Sequence, residues 1–151
     1  MPKEAKVLDA GCASGRDSAL LIDKGFKVVG IDLSRSFIEI ARKEHPNINF
    51  IHGNFLKLPF GKEEFDGVWA HASLVHLETN SDVRKALKEF NRVLRKDGIL
   101  HLLVKAQKGK EKIAIIKDSL SEHDRFFQYF TIPEVEKLID ETGYKLSLIH
   151  I

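Results

Sequence analysis

The stretch that decides the fold is Val7-Leu-Asp-Ala-Gly-Cys-Ala-Ser-Gly-Arg16. Val7 and Leu8 open it as a short apolar strand. Small residues follow, and Arg16 begins a segment with helical spacing of Ala19, Leu20 and Ile22. Gly25 stands where a glycine closes a helix in the left-handed region. A strand that runs through a small-residue turn into a helix is the first half of a strand–helix–strand unit. Gly11 and Gly15 let the backbone bend and let a ligand approach it closely.

The pattern repeats outward from that turn. Residues 27–33 hold Val28, Val29 and Ile31, a β-branched run between Gly25 and Ser34. Ser34 can cap a helix with Phe37, Ile38, Ile40 and Ala41, which Pro46 stops. Residues 48–51 and 65–70 read as the third and fourth strands, with a loop over 56–64. Ser81 is the expected cap of a long helix carrying Val83, Leu87, Phe90 and Leu94 and ending at Gly98. Residues 99–104 are the fifth strand. Residues 105–130 form a long link that starts with lysines, read as a solvated loop. Thr131-Ile-Pro-Glu134 has capping-box spacing and precedes Val135, Leu138 and Ile139. Residues 144–151 are expected to be a sixth strand.

Alternation of this kind predicts an α/β fold, one doubly wound, Rossmann-like domain with a mainly parallel sheet over residues 1–151. Ligands in such sheets bind at the carboxyl ends of the strands. Composition agrees with one compact domain: 151 residues, 43% hydrophobic and 30% charged. The 24 basic and 22 acidic residues leave a net charge of +2, too little for a nucleic-acid footprint. No apolar run is long enough for a bilayer, and no leader pattern opens the chain. The single cysteine suits a reducing, cytoplasmic setting.

The glycine turn narrows the ligand. A dinucleotide fingerprint from Gly11 would need glycines at 13 and 16, where Ala13 and Arg16 stand. Glycines at 11, 13 and 15, the spacing used for S-adenosylmethionine, fail only at Ala13. Asp9 at the strand end disfavours a pyrophosphate and favours an ammonium or sulfonium. Asp32, at the end of the second strand, is placed to accept hydrogen bonds from ribose hydroxyls in either ligand class.

The chain resembles the class I S-adenosylmethionine-dependent methyltransferases, in particular their small-molecule branch. The resemblance rests on residues 8–17, on Val29-Gly-Ile-Asp-Leu-Ser34, on Gly53-Asn-Phe55 and on Phe65-Asp-Gly-Val-Trp-Ala-His-Ala-Ser-Leu-Val-His76. It continues through residues 90–100, 125–131 and 138–144. It implies S-adenosylmethionine as cofactor and methyl transfer to a small-molecule acceptor. Gly11, Cys12, Ala13 and Gly15 would line the methionine and ribose part. Asp32 would hold the ribose, Leu33, Asn54 and Phe55 would flank the adenine, and Ala70 would offer its carbonyl to the ammonium. Asp9 and Arg16 would meet the charges of the methionine part. His76 is the candidate base, with His71, Arg125 and Tyr129 beside the acceptor.

The departures are Ala13 for the middle glycine and Asn54 where an aspartate is usual. The family's helix before strand one and its seventh, antiparallel strand have no counterpart here, so the domain is expected to be short at both ends. An unpaired sixth strand would offer an edge for a homo-oligomer. A nicotinamide-binding domain and a cofactor-binding subunit without its own activity remain alternatives. Cys12 reads as a turn residue rather than a nucleophile, Ser73 lacks a nucleophile-elbow context, and no Cys/His spacing suggests a metal.

Overall fold

The computed structural model describes residues 1–117 and 124–148. Its frame is a five-stranded sheet of order β3-β2-β1-β4-β5, every pair parallel. The strands are β1 (Lys6–Ala10), β2 (Lys27–Asp32), β3 (Asn49–His52), β4 (Phe65–His71) and β5 (Leu94–Leu103). Helix α1 (Arg16–Asp23) links β1 to β2, α2 (Arg35–Glu44) links β2 to β3, and α3 (Asn80–Val93) links β4 to β5. The chain winds outward from β1 to β3, crosses back to β4 and winds the other way. Doubly wound topology is thus the observed one.

Alternation along β1 sorts the core into two layers. Val7 faces Leu21 of α1 and Val28 of β2. Leu8 and Ala10 face the other way, into the main core with Val83, Leu87 and Phe90 of α3 and Leu138 of α4 (Ile132–Glu141). Glu89 and Arg92 on α3 pin the β3–β4 loop. Leu58 N donates to Glu89 Oε2 at 2.7 Å, and Arg92 donates to the carbonyls of Phe60 and Leu58 at 2.8 and 3.1 Å. The Tyr144 hydroxyl donates to the Leu87 carbonyl at 2.8 Å and ties the exit of α4 to α3.

Four expectations need correction. The cap of α3 is Thr79, whose hydroxyl accepts from Asp82 N at 3.1 Å, not Ser81. That helix ends at Val93, and Asp97 at φ 65° makes a left-handed turn within the segment assigned to β5. The link after β5 is no plain loop: β6 (Ile113–Lys117) and β7 (Asp124–Gln128) pair antiparallel as a separate two-stranded ribbon. No strand forms over residues 144–148, so the expected sixth strand and its oligomerising edge are not observed there; residues 149–151 lie outside the described part. The sheet edge on that side is β5 instead. The Thr131–Glu134 capping box forms as read.

Phe90 is fully buried and its ring lies 5.9 Å from that of Phe55. Phe90→Ala is expected to lower the unfolding free energy by about 3–5 kcal/mol, measured by urea denaturation, with the fold retained.

Candidate active site

The chain leaves β1 between β2 and β4, where strand order reverses, and there the turn at 11–15 forms. Gly11 N and Cys12 N both donate to the Ile31 carbonyl, at 2.8 and 3.1 Å, which lashes the turn to the end of β2. Gly11 has φ 84° and Gly15 has φ 87°. A Cβ on Gly11 would fall 2.4 Å from Ser73 Cβ, and one on Gly15 would fall 2.6 Å from Phe50 Cζ. The turn's own neighbours therefore demand glycine at both positions. Ala13 adopts φ 46°, a region that disfavours a side chain. Its N–H donates to Asp32 Oδ2 at 2.9 Å, while Asp32 Oδ1 accepts from Ser34 N at 2.8 Å. Each carboxylate oxygen keeps a lone pair for a further donor.

Asp9 points to the α1 side and is 2% exposed. Ser18 Oγ donates to its Oδ2 at 2.6 Å. Burial raises the Asp9 carboxyl to about 7; the Ser18 bond opposes this, and the charges of Asp17 and Asp32 add to it. Cys12 is buried against Ile38, Ala41 and Phe50, and burial pushes its thiol far above the usual range. It stays protonated and unreactive.

The remaining candidates spread around the crevice. Arg16 extends into solvent, its Nε 3.3 Å from Asp17 Oδ1. Leu33 is 63% exposed, and its carbonyl lies 2.9 Å from His52 Nε2. Asn54 Oδ1 accepts from Leu56 N at 2.8 Å, so the side chain that stands for an aspartate shapes its own loop. Phe55 turns toward the core. Ala70 is fully buried near the end of β4.

Beside it, Asp17 Oδ2 accepts from Trp69 Nε1 at 3.1 Å and lies 3.2 Å from His71 Nδ1, off hydrogen-bonding geometry. Trp69 stacks on His101 of β5, centroids 3.8 Å apart and planes 11° from parallel. Burial, then the neighbouring His71, hold His101 below the usual histidine pKa.

His76 ends a short 3-10 turn (Leu74–His76), its Nδ1 2.9 Å from the Phe126 carbonyl and its ring 4.7 Å from Phe127. A carbonyl only accepts, so the neutral ring carries its proton on Nδ1 and leaves Nε2 basic. Tyr129 is half-buried and its N–H donates to the Lys112 carbonyl at 2.9 Å. The Arg125 guanidinium lies 6.0 Å from the Phe37 ring, at the start of α2.

Asp17, Ser73 and His101 were missed as site residues. Asp17 shows itself only as a carboxylate in the first turn of a helix, and His101 as a polar residue inside an apolar strand. Ser73 Oγ is buried without a hydrogen-bond partner, beside Gly11. An unsatisfied buried hydroxyl beside a turn flanked by Asp9, Asp17 and Asp32 fits a ligand that brings positive charge and hydrogen-bond donors. A cleft of about 880 Å³ opens near Lys62, Leu94, Gly98 and Gly143, at the amino ends of β4 and β5. It is remote from the crevice and holds none of these side chains. Among the described residues no His, Cys, Asp and Glu cluster could hold a metal, and no helix is long and apolar enough to cross a membrane.

Residues 7–98 match a family model described as a methyltransferase domain. The demethylmenaquinone methyltransferase of Chlorobaculum tepidum is 38% identical over 103 residues, covering 67% of this chain and 41% of that protein. The chain thus spans less than half the length of that relative. A crystal structure of S-adenosylmethionine-dependent methyltransferases from Methanosarcina mazei superposes with a TM-score of 0.83 at 24% identity, over 94% of this chain and 80% of that one, which shows the fold. The 1,6-didemethyltoxoflavin-N1-methyltransferase of Burkholderia thailandensis was solved with 1,6-didemethyltoxoflavin and S-adenosylhomocysteine. It superposes with a TM-score of 0.70 at 25% identity, over 93% of this chain and 60% of that one.

Two outcomes follow from the turn itself. Between the ordinary aspartate pKa of 3.8 and about 7, the folded protein holds a proton on Asp9 that the unfolded chain has released. Stability is therefore expected to fall as pH rises through that window and to level off above it. Urea unfolding of the ligand-free protein is expected to show a loss on the order of 2 kcal/mol between pH 5.5 and pH 8, absent in Asp9→Asn. At position 13, relief of about 1–2 kcal/mol of left-handed strain outweighs the roughly 0.4–1 kcal/mol of chain entropy that glycine adds to the unfolded state. Ala13→Gly is expected to raise the urea midpoint, by a stability gain of about 1 kcal/mol.

Proposed function

This chain belongs to the class I S-adenosylmethionine-dependent methyltransferases, and we propose that it transfers a methyl group to a small-molecule acceptor by direct in-line displacement. The observation that carries the reading is the acidic glycine turn at the strand switch, with Asp9, Asp17 and Asp32 around it and Ser73 unsatisfied beside it. A pyrophosphate would be repelled there. S-adenosylmethionine, when bound, supplies a methyl group on a sulfonium that is already an activated leaving group.

The residues of the chain then have binding and positioning tasks. Gly11, Cys12, Ala13 and Gly15 would hold the methionine and ribose part along the turn backbone. Asp32 would accept from the ribose hydroxyls with the lone pairs its two backbone bonds leave over. Leu33, Asn54 and Phe55 would bound the adenine. The Ala70 carbonyl and Asp9 would face the ammonium, and Arg16 the carboxylate. Asp9 ionises more readily when a cation approaches, which couples cofactor binding to the loss of its proton.

In-line displacement asks the protein to orient the acceptor and exclude water. No covalent enzyme intermediate is required, in keeping with a buried, protonated Cys12. His76, with Nδ1 committed to the Phe126 carbonyl, would take a proton at Nε2 from a hydroxyl or ammonium acceptor. His71 and Tyr129 would bound the acceptor. A nicotinamide-binding domain is disfavoured by the family membership.

S-adenosylhomocysteine is expected to raise the melting temperature, by a stabilisation of ~2.7 kcal/mol at a hundred times its dissociation constant, and NAD is expected to have no effect. A shift with NAD alone would overturn the reading. Asp32→Asn is expected to weaken S-adenosylhomocysteine at least tenfold by calorimetry; this substitution keeps one carbonyl oxygen for the turn, where alanine would release both backbone bonds. With an acceptor in hand, His76→Gln is expected to cut turnover by about 10²–10⁴ without weakening the cofactor.

A further inference from the structure

The lysine-rich run Lys105-Ala-Gln-Lys-Gly-Lys-Glu-Lys112 reads as solvated, but its lysines do not share one environment. Lys108 and Lys110 are exposed, and Lys112 pairs with Glu134 in the first turn of α4. Lys105 is half-buried, and its ammonium sits 3.8 Å from the centroid of the buried Phe127 ring. The backbone holds it there: Phe130 N donates to the Lys105 carbonyl and Gln107 N to the Phe130 carbonyl, both at 2.9 Å. Among the described residues no carboxylate pairs with this ammonium. A ring face attracts the charge but leaves the three N–H donors without a full set of acceptors.

Phe127 is also the ring against which His76 packs, centroids 4.7 Å apart. Because the two contacts share one ring, Lys105 Nζ and the centre of the His76 imidazole lie at most about 8.5 Å apart, the sum of the two distances. His76 follows β4 and Lys105 follows β5, which are neighbours in the sheet. His76 is exposed, with Nδ1 committed to the Phe126 carbonyl and Nε2 left over. A basic nitrogen and an unpaired cation thus stand one small molecule apart at the carboxyl ends of these strands.

We propose that Lys105 orients the methyl acceptor, and that the acceptor is a small organic acid, its anionic group on Lys105 and its hydroxyl or ammonium at His76 Nε2. The inference rests on the proposed function and names the acceptor class which that reading leaves open. A charge-assisted bond fixes one end of the acceptor, and the separation of the two side chains brings the other end to the base. The acceptor gives its proton to His76 Nε2, its lone pair forms the bond to the methyl carbon, and the electron pair of the breaking carbon–sulfur bond stays on sulfur. Lys105 takes no part in these bond changes and is a positioning residue.

The test is calorimetric binding to the whole chain saturated with S-adenosylhomocysteine. The probes are glycolate, 2-hydroxybenzoate and 4-hydroxybenzoate, whose two groups differ in separation, each beside its uncharged amide. At least one acid is expected to bind about tenfold more tightly than its amide. Lys105→Met and Lys105→Gln are expected to abolish that preference and to leave the amide, S-adenosylhomocysteine and the melting temperature unaffected; Lys105→Arg is expected to keep it. The inference is overturned if no acid outbinds its amide, or if a neutral variant keeps the preference. A loss in Lys105→Met and Lys105→Gln that falls equally on acid and amide marks a packing role and overturns it as well. Failure of the unaltered protein to bind S-adenosylhomocysteine defeats the proposed function first, whereas binding of that ligand without any preference for an acid defeats this inference alone.

Discussion

One carboxylate holds the site in shape. Asp32 accepts from Ala13 in the turn after β1 and from Ser34 at the cap of α2. Without those bonds the turn would be left with the donations from Gly11 and Cys12 to the Ile31 carbonyl and the bond from Gly15 N to the Cys12 carbonyl, and the N–H of Ala13, at φ 46°, would lose its partner. The same side chain is the one expected to receive ribose hydroxyls. Its preorganisation is thus done by the fold before any ligand arrives, which is how a hydrogen-bonding site keeps its reorganisation cost low. The price is that Asp32 cannot be altered as a ligand contact without disturbing the turn.

Around that point the charges separate. Asp9, Asp17 and Asp32 lie on the turn side, close enough for their fields to raise the Asp9 carboxyl further. Lys105 and Arg125 lie on the ribbon or beside it. The acidic turn gives encounter a direction, since a cation is drawn toward it before it makes contact.

The frame of the molecule was legible because its signals are local. The strand–turn–helix at 6–23, the Ser34 cap and the Thr131 capping box each declare themselves within a few residues, and all form as read. The ribbon was not legible. β6 and β7 are short, and what holds them is remote: His76, Asn80 and the Lys105 backbone, none of which is near in sequence to β7. Phe127 and Phe130, on the ribbon and just past it, join the main core together with Leu138 of the last helix. The grouping of Asp17, Trp69 and His101 depends on the β4–β5 register that sets Trp69 opposite His101, and no single-chain pattern states a register. Asp32 and Asn54 were read for their ligands alone, whereas each also serves the backbone beside it.

The stack of Trp69 on His101 has an optical consequence. The chain has one tryptophan, so its emission arises from a single indole. That indole donates to Asp17 and lies flat against His101, with the His71 ring 5.8 Å away. An imidazolium quenches indole emission more strongly than the neutral ring, and a carboxylate at the indole N–H shifts its spectrum. The protein therefore carries a native fluorophore stacked on His101 of β5, whose protonation it reports without any added label.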